Sequence, residues 1–315
     1  MGVQATASRQ LRRRLLHRYS VVVAVATFVL LIAGALVTSN DAGLAVPDWP
    51  LSYGSLFPPM HGGIVYEHGH RMIAGLVGLL TMGLAVVFWK WERRLWVRGL
   101  AVAAFGLIVI QAVLGGITVL FYLPAWVSTA HATVGQLFFC TVVSLVMFTG
   151  DWWQSESTQL EPQTVAPIRG LAWSAVAAIF VQLVLGAAFR HRAFSLIPHL
   201  VCAFVVTGVV SAAGATAWIR LGHYPVVKTA ALRLLLLLGG QLTLGGFAYW
   251  AVQFQQQAPQ PLPLPVTITV AHVVTGALTL AAALWLALCI ERLRQPGTVL
   301  VSAVPALQVQ GRHSA

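Results

Sequence analysis

The chain has 315 residues, of which 58% are hydrophobic and 9% charged, with a mean hydropathy of +0.81. A soluble domain needs far more polar surface than this composition provides, so the chain is not an ordinary soluble protein. A net charge of +11 is also found in nucleic-acid-binding proteins, but here most basic residues lie between apolar blocks. That distribution indicates that the basic residues set the orientation of helices in a membrane, and we expect no nucleic-acid partner.

Eight apolar blocks reach the length of roughly 20 residues that a membrane-spanning helix needs. In chain order they are 19–38, 70–89, 99–121, 129–149, 169–189, 195–218, 230–252 and 266–290. The first block follows a basic stretch, as in a signal peptide, but its length and the lack of a small-residue cleavage pattern favour a retained helix. The sequence therefore predicts an all-α integral membrane protein with eight transmembrane helices.

Lysine and arginine predict the orientation of these helices, because cytoplasmic loops are enriched in both residues. With the N-terminus in the cytoplasm, sixteen of the nineteen basic residues lie in cytoplasmic segments, and only Arg71, Arg190 and Arg192 lie outside. Both termini are therefore predicted to be cytoplasmic, as an N-terminal segment at 1–18 and a tail at 291–315.

Two short motifs recur along the chain. QAVLGG, QLVLGA and QLTLGG begin at residues 111, 182 and 241, while HATVG and HVVTG begin at residues 131 and 272. The recurrence predicts a duplication, with tandem four-helix bundles at 19–150 and 169–290 joined by a cytoplasmic linker at 151–168. The glycines are interpreted as small residues that let membrane helices approach closely.

Four of the ten histidines occupy equivalent places in the predicted even-numbered helices. Each is expected in about the first helical turn on the outer side, two in each bundle: His70, His131, His199 and His272. A single such histidine is readily explained by interfacial water, but four at matched depth favour axial ligation of haem iron from two helices. Zinc fits less well, because its sites gather three or four ligands.

One acid distinguishes the first bundle. Glu67 precedes His70 by three residues, which puts both on one helical face. Its carboxylate is suited to hydrogen bonding, water binding or proton transfer, although an exposed charge paired with Arg71 explains it equally well. The matching stretch of the second bundle has no acid, which suggests one catalytic site and one cofactor site. Arg71, Arg190 and Arg192 are candidate partners for haem propionates.

The other histidines and the cysteines are weaker candidates for a functional site. His61 and His68 are expected to be loop or surface residues, and His191 belongs to the basic RHR patch at 190–192. The cysteines lie inside apolar blocks without disulfide or metal spacing, so no role is assigned to Cys140, Cys202 and Cys289.

Three features together resemble the haem A synthase family over nearly the whole chain. They are GALVTSNDAGLAVPDWPLSYGSLFPP at 34–59, EHGHR at 67–71 and the four leading histidines. The resemblance implies that successive hydroxylations oxidise the C8 methyl of haem O to a formyl group, for cytochrome oxidase biogenesis. It also implies a multi-pass protein of the cell (inner) membrane that receives haem O from haem O synthase, the protohaem farnesyltransferase.

The resemblance further assigns the site residues. It implies that His70 and His131 flank the iron of the substrate haem, that His199 and His272 hold a haem b cofactor, and that Glu67 is the catalytic carboxylate. Many bacterial members of the family carry a cysteine pair in the first outer loop, but residues 39–69 contain no cysteine. A thiol relay in this loop is therefore excluded, and the electron acceptor stays unknown.

Two other classes of function remain as alternatives. A di-haem, cytochrome b-like electron carrier or quinone oxidoreductase would retain both haems and would need no acid in one half only. The second alternative is a transporter, which the repeat suggests. Repeats of parallel topology, without a pair of broken helices, fit a transporter poorly. The sequence leaves the oligomeric state open, a homo-oligomer included.

Overall fold

A computed structural model describes residues 2–155, 160, 162–255 and 260–294. The described residues form nine α-helices, which are α1 Gly2–Ser39, α2 Gly63–Trp91, α3 Leu95–Leu120, α4 Ala125–Thr149, α5 Asp151–Gln154, α6 Pro162–Arg190, α7 Leu196–Leu221, α8 Pro225–Gln255 and α9 Pro263–Leu293. All except the four-residue α5 contain a stretch long and apolar enough to cross a membrane. The prediction of eight transmembrane helices is confirmed.

Several helices extend beyond their apolar blocks. The predicted N-terminal segment 1–18 is, from residue 2, the first part of α1, and α2 begins seven residues before the predicted start at residue 70. The linker predicted at 151–168 contains α5 and the first turns of α6. The apolar blocks indicate only the part of each helix that crosses the lipid. The helices are longer because backbone hydrogen bonding continues into the polar residues at their ends. Residues 156–159 and 161 of the linker and 295–315 of the tail lie outside the described residues.

The transmembrane helices pack in two groups. In the first group, α1 and α3 each contact both α2 and α4, around a core that includes Leu84, Phe88 and Phe138. In the second group, α6 and α8 each contact both α7 and α9, around a core that includes Leu234 and Leu286. The groups meet where α1 and α4 contact α9 and where α4 contacts α6. Each half therefore surrounds its own interior.

One end of the molecule gathers three connections between helices, at 40–62, 121–124 and 191–195, and we call this end the loop face. Contacts join these connections: Gly43 lies against Leu123, and the ring of Phe194 meets that of Trp126, in the first turn of α4, edge to face at 5.1 Å. The four predicted histidines lie on the helices that start from this face. The cytoplasmic placement of the opposite end stays a prediction.

Candidate functional site

The four histidines lie at different distances from the starts of their helices. Only His199 is in a first turn; the others are the eighth residue of α2, the seventh of α4 and the tenth of α9: His70, His131 and His272. The expectation of first-turn positions was therefore wrong for these three. At 1.5 Å per residue, the helices that carry them begin roughly 9 to 14 Å before the imidazole, so the rings lie within the helical layer.

In the second half, two of the histidines face each other. The ring centroids of His199 and His272 are 6.4 Å apart, with the ring planes nearly perpendicular at 86°. Two metal–imidazole bonds of about 2 Å each, together with the half-widths of two rings, span roughly 6 Å between centroids. The pair therefore has the spacing that two axial ligands of one metal ion need. In the first half, His70 and His131 lie close enough to interact electrostatically.

Each imidazole rests against a glycine of the helix that precedes it in the chain. A methyl group built on these glycines would lie 3.2, 3.3, 2.9 and 3.2 Å from the histidine Cε1 atom, in the pairs Gly34–His70, Gly115–His131, Gly186–His199 and Gly245–His272. The sequence had assigned Gly115 and Gly245 to helix packing, but the side chain that each one contacts is a predicted ligand.

A backbone carbonyl lies near each of the four rings. His199 Nδ1 lies 3.2 Å from the carbonyl oxygen of Gln182, a suitable acceptor for its proton. The carbonyls of Leu30, Gln111 and Gln241 lie near the other three rings. Those three Nδ1 atoms are buried and lack a hydrogen bond of ordinary geometry to any described residue. A buried imidazole that donates through Nδ1 keeps Nε2 as its coordinating nitrogen.

Glutamine side chains accompany three of the histidines. The Gln111 amide donates to the backbone carbonyl of His131 at 2.7 Å, and the Gln182 amide donates to that of His199 at 3.0 Å. In the second half the amide nitrogens also lie 3.4 Å and 3.5 Å from the Nε2 atoms of His199 and His272. Sequence reasoning missed these roles, although the recurring Q-x-x-x-G motif marks all three glutamines.

Glu67 is buried, with only 4% of its surface exposed. Its Oε1 atom accepts a hydrogen bond from Arg71 at 2.5 Å, and Oε2 accepts one from the backbone N–H of Val46 at 2.8 Å. The pairing with Arg71 was one of the two interpretations left open by the sequence, but the accompanying expectation of an exposed charge was wrong. The carboxylate joins α2 to the 40–62 connection, one turn before His70.

The 40–62 connection is a folded cap that α2 holds through three side chains. Besides Glu67, Arg71 donates through Nη1 to the carbonyls of Asp48 and Leu51 at 2.7 and 2.6 Å, and His68 Nδ1 lies 2.8 Å from Ser52 Oγ. His68 is 6% exposed, so its prediction as a loop or surface residue was wrong. Its polar ring is buried because the cap covers it, which the sequence alone does not reveal. His61 lies in the connection and is exposed, as predicted.

Within the cap, the backbone N–H groups of Gly54 and Tyr53 donate to the carboxylate of Asp48 at 2.8 and 2.7 Å. These hydrogen bonds, that of Gly54 first, hold the pKa of Asp48 below its usual range. The cap therefore has its own hydrogen-bond network in addition to its attachments to α2.

The basic patch at 190–192 lies where the halves meet. Arg190 donates to Ser39 Oγ at 2.6 Å, which ties the end of α6 to the end of α1, while Arg192 is exposed. Burial, followed by the positive charge of Arg190 and the electrostatic influence of His131, lowers the pKa of His191 to about 4, so this ring is neutral at pH 7.

Among the described residues, no group of three or more histidine, cysteine or acidic side chains is arranged to hold a metal ion. The three cysteines are free, and none is exposed. What the described site offers is paired imidazoles in each half and one buried carboxylate in the first half. Such an arrangement suits a planar metal complex whose remaining ligands come from the complex itself.

Comparisons with known proteins identify a family for this chain. Residues 17–197 match the COX15-CtaA family, described as cytochrome oxidase assembly protein. The match includes Glu67, His70 and His131 but ends before His199.

Individual relatives carry the name Heme A synthase. The protein of Bacillus pumilus is 28% identical over 58% of this chain and 60% of its own length, and that of Lysinibacillus sphaericus is 28% identical over 67% and 69%. The protein of Symbiobacterium thermophilum is 32% identical over 54% and 58%. The chain thus spans about three-fifths of the length of most of these relatives.

Proposed function

Because the chain belongs to the COX15-CtaA family of cytochrome oxidase assembly proteins, we propose that it is a haem A synthase of the cell (inner) membrane. It oxidises the C8 methyl group of haem O to a formyl group. The observation that carries the proposal is the unequal pair of sites: histidine pairs in both halves, but a buried carboxylate beside the pair in the first half only. The names of the relatives favour this enzyme over a di-haem electron carrier.

The two halves take different haems. The first half, 19–150, binds haem O as substrate between His70 and His131, and the second half, 169–290, holds haem b between His199 and His272. The 6.4 Å spacing of the second pair and the buried Nδ1 atoms of three of the rings support this assignment. Bound haem b would supply a redox centre that accepts electrons from the oxidation.

The protein orients the imidazoles and excludes water. The carbonyl of Gln182, 3.2 Å from His199 Nδ1, favours the tautomer with the proton on Nδ1, which leaves the Nε2 lone pair for iron. The 40–62 cap covers the start of α2 and limits access of bulk water to the first-half site. A dry site strengthens the interaction of the nearby carboxylate with positive charge on the substrate.

Glu67 is the catalytic acid–base candidate. The methyl group is hydroxylated to an alcohol and then to a gem-diol, which loses water to give the aldehyde. With water as the oxygen source, each hydroxylation replaces a C–H bond by a C–OH bond and releases two protons and two electrons, and the electrons pass to an acceptor outside the chain. Glu67 accepts the proton that leaves the reacting carbon or stabilises the positive charge that precedes its release. Arg71 holds the carboxylate in place through the 2.5 Å contact.

Arginines at the loop face bind the propionates. Both terminal nitrogens of Arg71 already donate to protein oxygens, and Arg190 donates to Ser39. Arg192 is exposed, and within the described residues no hydrogen bond engages its guanidinium. Of the three predicted partners, Arg192 therefore has the most donors available for a carboxylate. Haem O synthase is the proposed supplier of the substrate.

Haem extraction and chromatography test the function directly. The full chain is expressed in membranes that make haem O but no haem A, and the extracted haems are separated. Accumulation of haem A is expected. Retention of two haems without any haem A, under ample haem O, would contradict the proposal and favour an electron carrier.

Two variants at one position then test the carboxylate. Glu67→Ala removes both the charge and the acceptor of the Val46 N–H, whereas Glu67→Gln keeps an acceptor oxygen and removes only the charge. Both variants should retain haem and accumulate haem O or the alcohol, with turnover lower by about 100-fold or more. Full haem A yield from Glu67→Gln would reduce Glu67 to an anchor of the cap.

A further inference from the structure

A single arrangement recurs around all four histidines. In each case the ring packs its Cε1 edge on a glycine of the preceding helix, and the backbone carbonyl of the residue four positions before that glycine lies near the same ring. The four sets occur in the helix pairs α1–α2, α3–α4, α6–α7 and α8–α9. The repeating unit at the site is thus a pair of helices present four times, smaller than the four-helix unit that the sequence motifs predicted.

The glycines leave no room for a side chain. The methyl group of an alanine would approach the Cε1 atom within 2.9 Å at Gly186 and within 3.2 to 3.3 Å at Gly34, Gly115 and Gly245. Ordinary carbon–carbon contacts lie at about 3.5 to 4.0 Å, so the ring would have to move. At Gly186 the methyl group would also lie 3.2 Å from Nδ1.

Helix packing alone does not explain these contacts. Gly214 illustrates ordinary packing, since its methyl group would meet the side chain of Leu235 on the neighbouring helix. Gly239 and Gly240 of α8 have nothing within 4 Å. The glycines beside the histidines differ from both kinds, because the atoms nearest to them belong to an imidazole ring each time.

We propose that Gly34, Gly115, Gly186 and Gly245 are positioning residues that set the rotation of the four imidazole rings. The glycine supports the Cε1 edge and the carbonyl one turn earlier lies beside the same ring, 3.2 Å from Nδ1 in the case of His199, so that two adjacent contacts fix a flat ring in its own plane. Nε2 is thereby kept at one angle for coordination. This inference rests on the proposed haem ligation and extends it to residues that touch only the ligands.

The test compares three alanine variants of the full chain, purified with haem b. Gly186→Ala and Gly245→Ala should weaken haem binding about 10-fold or more, the range typical for partners that orient a metal ligand. They should also shift the low-spin electron paramagnetic resonance signal, because the imidazole plane rotates. The matched control is Gly240→Ala, which lies on the same helix as Gly245, is exposed and meets nothing; it should leave both readouts unchanged.

Circular dichroism of each variant monitors folding, and alanine favours a helix more than glycine does. Unchanged haem affinity and an unchanged resonance signal in both Gly186→Ala and Gly245→Ala would overturn the positioning role. An equal loss in Gly240→Ala would also overturn it, because the effect would then belong to the helix. A wild-type protein that binds no haem would instead overturn the proposed function itself.

Discussion

The two halves of the molecule hold the same set of histidine and glycine contacts but surround it differently. Around His70 there is a buried ion pair, Glu67–Arg71, and a folded cap of about twenty residues that α2 holds by hydrogen bonds. Around His199, the preceding connection is only five residues long and brings no acid. A shared scaffold thus holds the imidazoles, and the ion pair and the cap are found in one half only, the half that we propose to bind the substrate.

A smaller difference lies inside the scaffold. Gln182 precedes Gly186 by one turn and reaches His199, whereas the matching position before Gly34 is Leu30. The amide gives the second-half histidine an extra polar contact, and the leucine gives His70 none. We expect a cofactor site to benefit from such a restraint and a substrate site to need less of it.

The largest expected effect is the loss of haem from one half only, after substitution of one of its two histidines. His272→Ala should abolish the haem b absorbance, because one axial ligand of the second-half pair is lost, while haem O still binds in the first half. His131→Ala should do the reverse. Absorbance spectra and extracted haems of the two purified variants provide the measurement. Loss of both haems in either variant would show that the sites are not independent.

Arg71→Lys tests the cap. Lysine keeps the charge but lacks the planar fork that reaches Glu67 and two loop carbonyls together. Losing one such charged hydrogen bond costs about 1.5 to 3 kcal/mol, or roughly 10- to 100-fold in local opening. Hydrogen exchange at residues 46–54 should therefore accelerate by that factor. Arg192→Lys is the control at an exposed position, and equal protection in both variants would contradict the role of Arg71.

Gln182→Leu makes the second half resemble the first at the position of Leu30. The substitution removes the 3.0 Å hydrogen bond to the His199 carbonyl and the contact to Nε2. Losing a hydrogen bond of about 1 kcal/mol should weaken haem b binding roughly 5-fold. Titration of the apoprotein with haem measures the change. An affinity equal to that of the wild type would mean that the amide does not separate the halves.

Ser52→Ala has the smallest expected effect. It removes the hydroxyl partner of the buried His68 and leaves the ring with an unmet polar atom inside the cap. A penalty of about 1 kcal/mol is expected locally, with faster exchange near residue 52 and an unchanged haem b spectrum. A changed haem b spectrum would contradict the confinement of this contact to the first half.

Particular residues illustrate what could be predicted. The eight helices followed from apolar length, and the four histidines from their recurrence at matched places in the sequence. Glu67 followed from its spacing to His70. His68 was missed because its burial depends on Ser52, sixteen residues earlier, folding over it. Three of the four supporting glycines lie in the recurring motif, and Gly34 does not, but the histidine that each one contacts lies on another helix.

The sequence by itself determined that the chain crosses a membrane eight times and that it is built from repeated units, because hydropathy and recurrence are written along the chain. Only the tertiary structure decided that His199 and His272 face each other at 6.4 Å and that each of the four histidines rests on a glycine. It also decided that Glu67 is buried against the cap. The physical reason is that burial and contact depend on which helices and loops pack together, and local propensity does not specify that packing.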